Sequence, residues 1–335
     1  MKVFIVGAGR WGTALSYVCS FNFEKVFIWD VNEEILEGIK KKRKNPIYFT
    51  FFEYPKNVFP SFHIENDINE SDVIISVVPT QYVRDTWRRL QRNIESPKII
   101  ISASKGLEIK KLERPSEIIR EVLKRKAKKI FVLSGPNFAE EVIKNVPSLT
   151  VLAGPEGEEI KILQKFLTVP FFRVYISHDL KGVEIGGALK NVYAIGAGIL
   201  DGLSLGLNAR AAFLTRSLTE MARFGKEMGA RPHTFSGLSG LGDLLLTATG
   251  DLSRNRRFGL LIGKGESIEK AIDEIKTVEG YYTIKPYVQI AKRKKIYIPI
   301  AEKLYEVLHL KKDLKTAVRE LMERPLKYED VPGLV

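Results

Sequence analysis

The chain has 335 residues, of which 44% are hydrophobic and 28% charged, and its formal net charge is +13. These values are typical of a globular protein with two domains and exclude an intrinsically disordered chain. The apolar run 3–6 is too short for a signal peptide, and the longest apolar stretch, 191–200, is far shorter than the ~20 residues of a membrane helix. The single cysteine, Cys19, excludes an internal disulfide and a thiolate metal site. We therefore expect a soluble, cytoplasmic protein with no metal and no membrane insertion.

Lysine and arginine form three short runs, 40–44, 124–129 and 292–295. Each run follows or adjoins a helix-like segment, where cations complement the helix dipole, so we interpret them as solvated helix ends. The sequence has no zinc-finger or RNA-recognition pattern and no basic run with interleaved aromatic residues. A nucleic-acid partner is therefore not expected, and a nucleotide-responsive protein that binds nucleic acid through its basic face is kept as an alternative.

Short β-branched runs alternate with helix-like segments in the first half of the chain. Most of these runs are apolar throughout, as is typical of strands buried on both faces of a parallel sheet. Repeated βα units predict an N-terminal, Rossmann-type, doubly wound α/β domain over residues 1–179, which we expect to bind a dinucleotide. The predicted strands are 2–6, 25–29, 72–78, 98–102, 130–134 and 149–153.

Strand-like runs nearly vanish after about residue 178, and the remaining apolar residues follow helical spacing. This pattern predicts an all-α C-terminal domain over residues 180–335, which we expect to bind the substrate and carry the catalytic groups. The predicted helices are 184–200, 208–228, 267–275, 284–293 and 300–309.

The first predicted strand runs directly into GAGRWG, which fits the pattern G-x-G-x-x-G. Gly7 would make the tight turn, Gly9 would let the backbone approach a pyrophosphate, and Gly12 would allow close packing of helix on strand. The N-terminus of the following helix would face the pyrophosphate with its N–H groups. The motif predicts a dinucleotide-binding loop, with a glycine turn that binds no ligand as the alternative.

Asp30 ends the second predicted strand, about 20 residues after the glycine loop. An acid at this place would accept the adenosine ribose hydroxyls and repel a 2′-phosphate, which slightly favours NAD over NADP. Asp30 could instead cap the following helix, and Arg10 in the loop could meet a phosphate. The sequence therefore leaves the choice between the two cofactors open.

Polar clusters follow the next predicted strands, and loops at strand carboxyl ends are where ligand-binding groups are expected. This placement raises Lys105 and the segment 135–137 above ordinary loop residues. Each cluster alone is more typical of a turn followed by a helix cap.

Lys190 lies in GGALKNVYAIGAG, where its neighbours are small or apolar. Desolvation would lower the pKa of its ammonium group and suit it to general acid–base catalysis. The alternative is a lysine whose stem covers apolar surface while its charge reaches water. Asp243 lies among glycines and leucines, and because a buried carboxylate needs a cation, Lys190 is its candidate partner.

A series of motifs, in order over nearly the whole chain, resembles the bacterial NAD(P)-dependent glycerol-3-phosphate dehydrogenases. The resemblance implies reversible reduction of dihydroxyacetone phosphate to sn-glycerol 3-phosphate with NAD or NADP, as a supply of phospholipid backbone, by a cytoplasmic homodimer. A dehydrogenase of another small hydroxy compound on the same plan is the alternative. The motifs are GAGRWGTA, VPTQYVR, SASKGLE, SGPNFAEEV, EIGGALKNVYAIGAG, GLGDLLLT, SRNRRFG and VEGYYT, with PIAEKLYEVL and RPLKYE near the end.

The resemblance also implies roles at matching positions. Lys190 would exchange a proton with the C2 oxygen, Lys105 would polarise the carbonyl and contact both ligands, and Asp243 would orient Lys190 or a substrate hydroxyl. The further substrate contacts would be Gly135, Asn137, Ser253, Arg254 and Asn255. The further cofactor contacts would be Arg10, Trp11, Ala139, Arg254, Thr277 and Glu279.

Three arginines fall within four positions of the segment GDLSRNRRFG. Arg254 is expected to grip the substrate phosphate with its planar fork, while Ser253 and Asn255 fix its orientation. Arg256 and Arg257 are expected to be surface or structural charges. The aromatic stretch 46–59 is also unusual, and it could be either a mobile flap over the site or a packed loop.

Overall fold

The computed structural model of the chain describes residues 1–326 and 328–329, so Lys327 and the last part of the predicted helical domain, 330–335, lie outside the described residues. Two compact units are present: residues 1–104 with 115–180, and residues 105–114 with the chain from 181 onwards. Nothing in the local sequence indicates that 105–114 folds with the second unit. Within the described residues, no helix has the length and apolarity needed to cross a membrane.

The first unit is built on an eight-stranded sheet in the order β3-β2-β1-β4-β5-β6-β7-β8. Its first six strands have the order of a dinucleotide-binding fold, in which the ligand lies outside the strand carboxyl ends where the order reverses at β1. The strands are β1 Lys2–Val6, β2 Lys25–Trp29, β3 Val58–Pro60, β4 Val73–Ser76, β5 Lys98–Ser102, β6 Ala127–Ser134, β7 Ser148–Ala153 and β8 Phe172–Ser177.

Side chains along β1 alternate between two apolar clusters, because Val3 and Ile5 enter one and Phe4 and Val6 enter the other. Burial on both faces is what the uninterrupted apolar runs predicted. The seven helices of this unit are α1 Arg10–Ser20, α2 Glu33–Lys42, α3 Ile64–Glu70, α4 Val83–Leu90, α5 Pro115–Leu123, α6 Ala139–Ile143 and α7 Glu158–Leu167.

All six predicted strands are present, and the sheet is parallel except where β6 and β7 pair antiparallel. Two strands were missed, and both lie at the edges of the sheet. β3 has only three residues and ends in a proline, while β8 alternates buried and exposed residues over its first half. An edge strand buries less apolar surface than a central one, so its sequence carries a weaker signal.

The described part of the second unit contains helices and no strands, which agrees with the predicted all-α domain. α8 is buried continuously from 182 to 199, so it forms the centre of this unit. The helices are α8 Leu180–Gly202, α9 Gly206–Glu227, α10 Asp243–Thr249, α11 Arg254–Gly263, α12 Ile268–Ile275, α13 Glu279–Lys294, α14 Pro299–Leu310 and α15 Leu314–Met322.

α8 and α11 pack backbone against backbone through glycines. A Cβ atom on Gly198 would lie 2.0 Å from the carbonyl oxygen of Arg256, and one on Gly259 would lie 2.0 Å from that of Ile195. Asn255 contacts Asn191, four residues before the contact of Gly259 with Ile195 in each helix, so the two helices run parallel. This packing places the first turn of α11 beside the part of α8 that follows Lys190.

Most residues of the basic runs lie at helix ends, as the charge pattern predicted. Lys40, Lys41 and Lys42 form the last turn of α2, and Lys292 to Lys294 form that of α13. Residues 124–126 continue α5 as a short 3-10 turn. Lys128 and Lys129 of the same run lie in β6, so helix ends explain only part of the positive charge of these runs.

Candidate active site

The glycine loop of the first unit has the geometry that the motif requires. Gly7 has a positive φ of 108°, a conformation that L side chains rarely adopt, and its N–H donates to the carbonyl oxygen of Trp29 at 2.7 Å. A Cβ atom on Gly12 would lie 1.8 Å from the carbonyl oxygen of Gly7, so no side chain fits there. At Gly9, by contrast, a Cβ atom would meet nothing within 4 Å. The loop thus leaves open space at the position where a pyrophosphate would approach.

The N-terminus of α1 suits an anion. Gly9 precedes the helix and supplies no side-chain acceptor for the N–H groups of the first turn. The indole Nε1 of Trp11 is buried and finds no hydrogen-bond partner among residues 1–326 and 328–329. These donors fit the phosphate oxygens of a dinucleotide, which helix N-termini bind in this fold.

Asp30 links the end of β2 to the glycine loop. Its Oδ2 accepts a hydrogen bond from the N–H of Ala8 at 2.7 Å, and its Oδ1 accepts one from Asn32 at 2.9 Å. The alternative that Asp30 caps α2 was wrong, because Asn32 is the capping residue and accepts from the N–H of Glu34. Each carboxylate oxygen keeps a second lone pair that a ribose hydroxyl could use.

Part of the aromatic stretch 46–59 packs against the first unit. Tyr54 is 1% exposed, and its hydroxyl lies 2.9 Å from that of Thr13 in α1. The guanidinium of Arg10 lies over the rings of Tyr48 and Phe49, 5.9 and 5.3 Å from their centroids. Arg10 is therefore held against this loop by cation–π contacts.

Two lysines share one buried carboxylate in the second unit. Asp243 is 1% exposed, and its Oδ1 accepts from Nζ of Lys190 while its Oδ2 accepts from Nζ of Lys105, both at 2.7 Å. Lys190 comes from the buried helix α8, and Asp243 is the first residue of α10. With both lysines protonated the cluster carries one net positive charge, which suits a site where negative charge develops on oxygen.

Lys190 is buried, so its charge does not reach water along an exposed stem. Burial lowers the pKa of its ammonium group to about 8, and the nearby charge of Lys105 also lowers it, while Asp243 acts in the opposite direction. A lysine with this pKa can both donate and accept a proton near neutral pH.

Thr247 is a member of this cluster that the sequence analysis missed. Its Oγ1 accepts from Nζ of Lys190 at 2.7 Å and donates to Oδ1 of Asp243 at 3.3 Å. Thr247 lies four residues after Asp243 on α10, so the two side chains share one face. The spacing of four residues between Asp243 and Thr247 indicates a shared face only if this seven-residue segment is helical.

Lys105 begins the segment 105–114, which folds with the second unit and holds this lysine at Asp243. At the other end of the segment, Nη1 of Arg114 donates to Oε2 of Glu184 on α8 at 2.7 Å, and both side chains are buried. Leu107, between them, belongs to the apolar cluster of the helical unit. The segment is thus fixed at both ends and in its middle.

The segment Ser253–Asn255 begins α11. Ser253 is the N-cap residue, and its Oγ accepts from the N–H of Arg256 at 3.2 Å. Arg254 is exposed, whereas Asn255 is buried and bonds within the protein. Its Nδ2 donates to Oδ1 of Asn191 and its Oδ1 accepts from the N–H of Gly280, both at 2.9 Å. This amide chain was not predicted from the sequence.

The remaining predicted contacts are divided between the two units. In the first unit, a Cβ atom on Gly135 would lie 2.8 Å from Cα of Thr150, so packing on β7 already requires glycine there. Asn137 Oδ1 is buried without a hydrogen-bond partner in the described part of the chain, and Ala139 begins α6. In the second unit, Thr277 is half-buried and Glu279 begins α13.

Comparisons with known proteins agree with this arrangement. Family models described as the N-terminus and the C-terminus of NAD-dependent glycerol-3-phosphate dehydrogenase match residues 2–159 and 179–319. The glycerol-3-phosphate dehydrogenase (NAD(P)+) of Syntrophotalea carbinolica is 41% identical over 331 residues, covering 98% of this chain and 99% of that protein. The enzyme of that name from Bacillus cereus is 40% identical over 330 residues, covering 98% and 97%.

The fold has a counterpart among solved structures. The crystal structure of glycerol-3-phosphate dehydrogenase from Coxiella burnetii has a TM-score of 0.91 at 35% identity, and the match covers 96% of this chain and 99% of that one. The resemblance inferred from the motifs is confirmed, and so is the Rossmann-type α/β fold followed by an all-α domain. The chain belongs to the NAD-dependent glycerol-3-phosphate dehydrogenase family.

Proposed function

We propose that the protein reversibly reduces dihydroxyacetone phosphate to sn-glycerol 3-phosphate with NAD(P)H and so supplies the backbone of glycerophospholipids. The observation that carries the proposal is the carboxylate of Asp243, which holds Lys190 and Lys105 together inside the helical unit. Carbonyl reduction needs a proton donor and a positive charge at the carbonyl oxygen, and these two lysines provide both.

The proton is transferred by Lys190. Its protonated Nζ donates to the C2 oxygen of dihydroxyacetone phosphate, and bound NAD(P)H supplies the hydride that C2 receives. The neutral amine that remains keeps its contacts with Asp243 and Thr247 until it regains a proton. In the reverse direction the neutral Nζ accepts the proton of the C2 hydroxyl, as a pKa of about 8 permits. Lys105 polarises the carbonyl through its charge.

The phosphate end of the substrate is bound at the start of α11. Arg254 offers a bidentate fork, the hydroxyl of Ser253 adds a donor, and the N-terminus of this ten-residue helix favours an anion. Asn255 supports this segment through its contacts with Asn191 and Gly280. Gly135, Asn137, Ala139, Thr277 and Glu279 keep the roles of ligand contacts that the family resemblance implies.

The cofactor is NAD or NADP, and we propose that Asp30 favours NAD. Its carboxylate is fixed beside the glycine loop, where it would accept ribose hydroxyls and repel a 2′-phosphate. In Asp30→Asn, which lacks the negative charge, we expect the ratio of kcat/KM for NADH to that for NADPH to fall roughly tenfold. Initial rates with both cofactors measure this ratio.

The matched control is Glu34→Gln, which removes an exposed carboxylate in the first turn of α2. It should leave the cofactor ratio unchanged. A wild-type enzyme that prefers NADPH, or equal ratios for Asp30→Asn and wild type, would show that Asp30 does not set the preference. We further propose, from family membership alone, that the protein acts as a homodimer in the cytoplasm.

The proposed function is tested by oxidation of sn-glycerol 3-phosphate. Purified protein should reduce NAD+ or NADP+ with this substrate and should be nearly inactive with glycerol or a 2-hydroxy acid. Faster turnover of a hydroxy compound without phosphate would instead assign the protein to another dehydrogenase activity on the same fold.

A further inference from the structure

The three arginines of the first turns of α11 have different surroundings. Arg254 and Arg257 are exposed, whereas the side chain of Arg256 is only 13% exposed. Nε and Nη2 of Arg256 lie 2.9 and 2.7 Å from Oδ2 of Asp201, and its Nη1 donates to Oδ1 of Asp251 at 2.7 Å. The donors of Arg256 are thus directed to two carboxylates of the protein.

These carboxylates belong to different parts of the second unit. Asp201 lies in the last turn of α8 and also accepts from Nη1 of Arg210 at 3.1 Å, while Asp251 lies in the loop before α11. Two carboxylates balance the charges of Arg256 and Arg210. Arg256 is therefore suited to hold the end of α8 to the start of α11 rather than to bind a phosphate itself.

A second contact joins the same two helices, the hydrogen bond between Asn255 and Asn191. Asn191 and Asp201 are ten residues apart on α8, which corresponds to about 15 Å along the helix. Asn255 and Arg256 are consecutive and leave α11 in directions about 100° apart. The hydrogen bond of Asn255 and the ion pair of Arg256 thus point in different directions, and together they prevent the first turn of α11 from rotating or sliding on α8. Arg254 lies in that turn.

We propose that Arg256 is a positioning residue for the phosphate end of the substrate. Its ion pairs with Asp201 and Asp251 fix the first turn of α11 and so direct Arg254 toward the phosphate. The inference rests on the proposed function, because it takes the phosphorylated substrate from there. It divides the arginine triplet into one ligand-binding residue, one positioning residue and one exposed charge.

The test compares Arg256→Gln with Arg257→Gln, which removes a neighbouring exposed arginine of the same helix. We expect Arg256→Gln to raise KM for dihydroxyacetone phosphate roughly tenfold, with a smaller rise in the KM for NADH and kcat changed less than about twofold. Arg257→Gln should leave all three values within about twofold of wild type. Loss of folded protein alone would lower kcat and leave KM unchanged.

Asp201→Asn should raise KM in the same way. Combining it with Arg256→Gln should raise KM little further, because both substitutions break the same ion pair. If Arg256→Gln does not fold, as judged by circular dichroism, Arg256→Lys retains the charge but cannot bridge both carboxylates, and its KM should still rise. An unchanged KM in folded variants, or an equal rise in Arg257→Gln, would overturn the proposal.

Calorimetric titration with sn-glycerol 3-phosphate separates this inference from the proposed function. Wild-type protein that binds this compound without turning it over would contradict the proposed function, and weaker binding by Arg256→Gln would still support the positioning role. If wild type and Arg256→Gln show the same binding, or neither binds, the positioning role is wrong.

Discussion

Replacing Lys190 with methionine should lower kcat for dihydroxyacetone phosphate reduction by roughly 10²- to 10⁴-fold, because the general acid is lost. Methionine is unbranched and apolar, so it can occupy the buried position on α8 without leaving a cation or a cavity. The Kd for NADH should stay within about twofold of wild type, since the glycine loop and Asp30 lie in the first unit. Single-turnover kinetics and cofactor titration measure the two quantities.

The pH dependence gives the same prediction a second readout. Reduction requires protonated Lys190, so its rate should fall as the pH rises through about 8, whereas oxidation of glycerol 3-phosphate requires the neutral amine and should rise over the same range. Lys190→Met should lack both limbs. A variant that retained wild-type kcat, or the same pH limbs, would place the proton donor elsewhere.

The second large effect is expected for Asp243→Asn. Asp243 is the one carboxylate that Lys105 and Lys190 both contact in the described structure, so its loss leaves two cations close together. Breaking a buried ion pair in this way costs about 3 to 5 kcal/mol of unfolding free energy. We also expect kcat to fall roughly 10²-fold or more, because both lysines lose their position.

Removing the negative charge of Asp243 should also lower the pKa of Lys190. Asp243 raises the pKa of Lys190, so without it the pKa falls and the limb of the reduction rate moves to lower pH. Thr247→Val is the matched control, since Thr247 also lies 2.7 Å from Nζ of Lys190 but carries no charge. Urea unfolding and pH–rate profiles should show a much smaller loss for Thr247→Val. Equal losses in the two variants would contradict the role given to the carboxylate.

The fold was largely predictable because buried strands and helices have characteristic patterns of apolar residues. Strands β1 and β2 are covered on both faces, so their residues are apolar without alternation, and α8 is buried over most of its length. The edge strands β3 and β8 lack that cover and were missed. The antiparallel pairing of β7 left no signal either, because a buried strand has the same composition in both orientations.

The centre of the candidate site was predictable from the cost of burying charge. A lysine and a carboxylate that each lie among apolar residues need each other, and Lys190 and Asp243 do meet. The supporting contacts were not predictable in this way. Arg114 and Glu184 are 70 positions apart, and nothing in the local sequence of either indicates the other. The same holds for Asn191 and Asn255.

The difference between Arg256 and Arg257 also depends on tertiary structure. The two residues are adjacent and identical in type, and only the packing of α11 on α8 directs one toward Asp201 and the other toward solvent. Glycines at matching spacing, Gly198 and Gly202 in α8 and Gly259 and Gly263 in α11, indicate close helix contacts in the sequence. They do not indicate which two helices meet.

The most direct test of the proposed activity is the initial rate of NADH oxidation by the purified protein with dihydroxyacetone phosphate, compared with dihydroxyacetone, which lacks the phosphate. We expect saturable oxidation with the phosphorylated substrate, with kcat/KM higher by a factor on the order of 10³ than with dihydroxyacetone. Absence of oxidation with both NADH and NADPH, or equal rates with the two substrates, would contradict it.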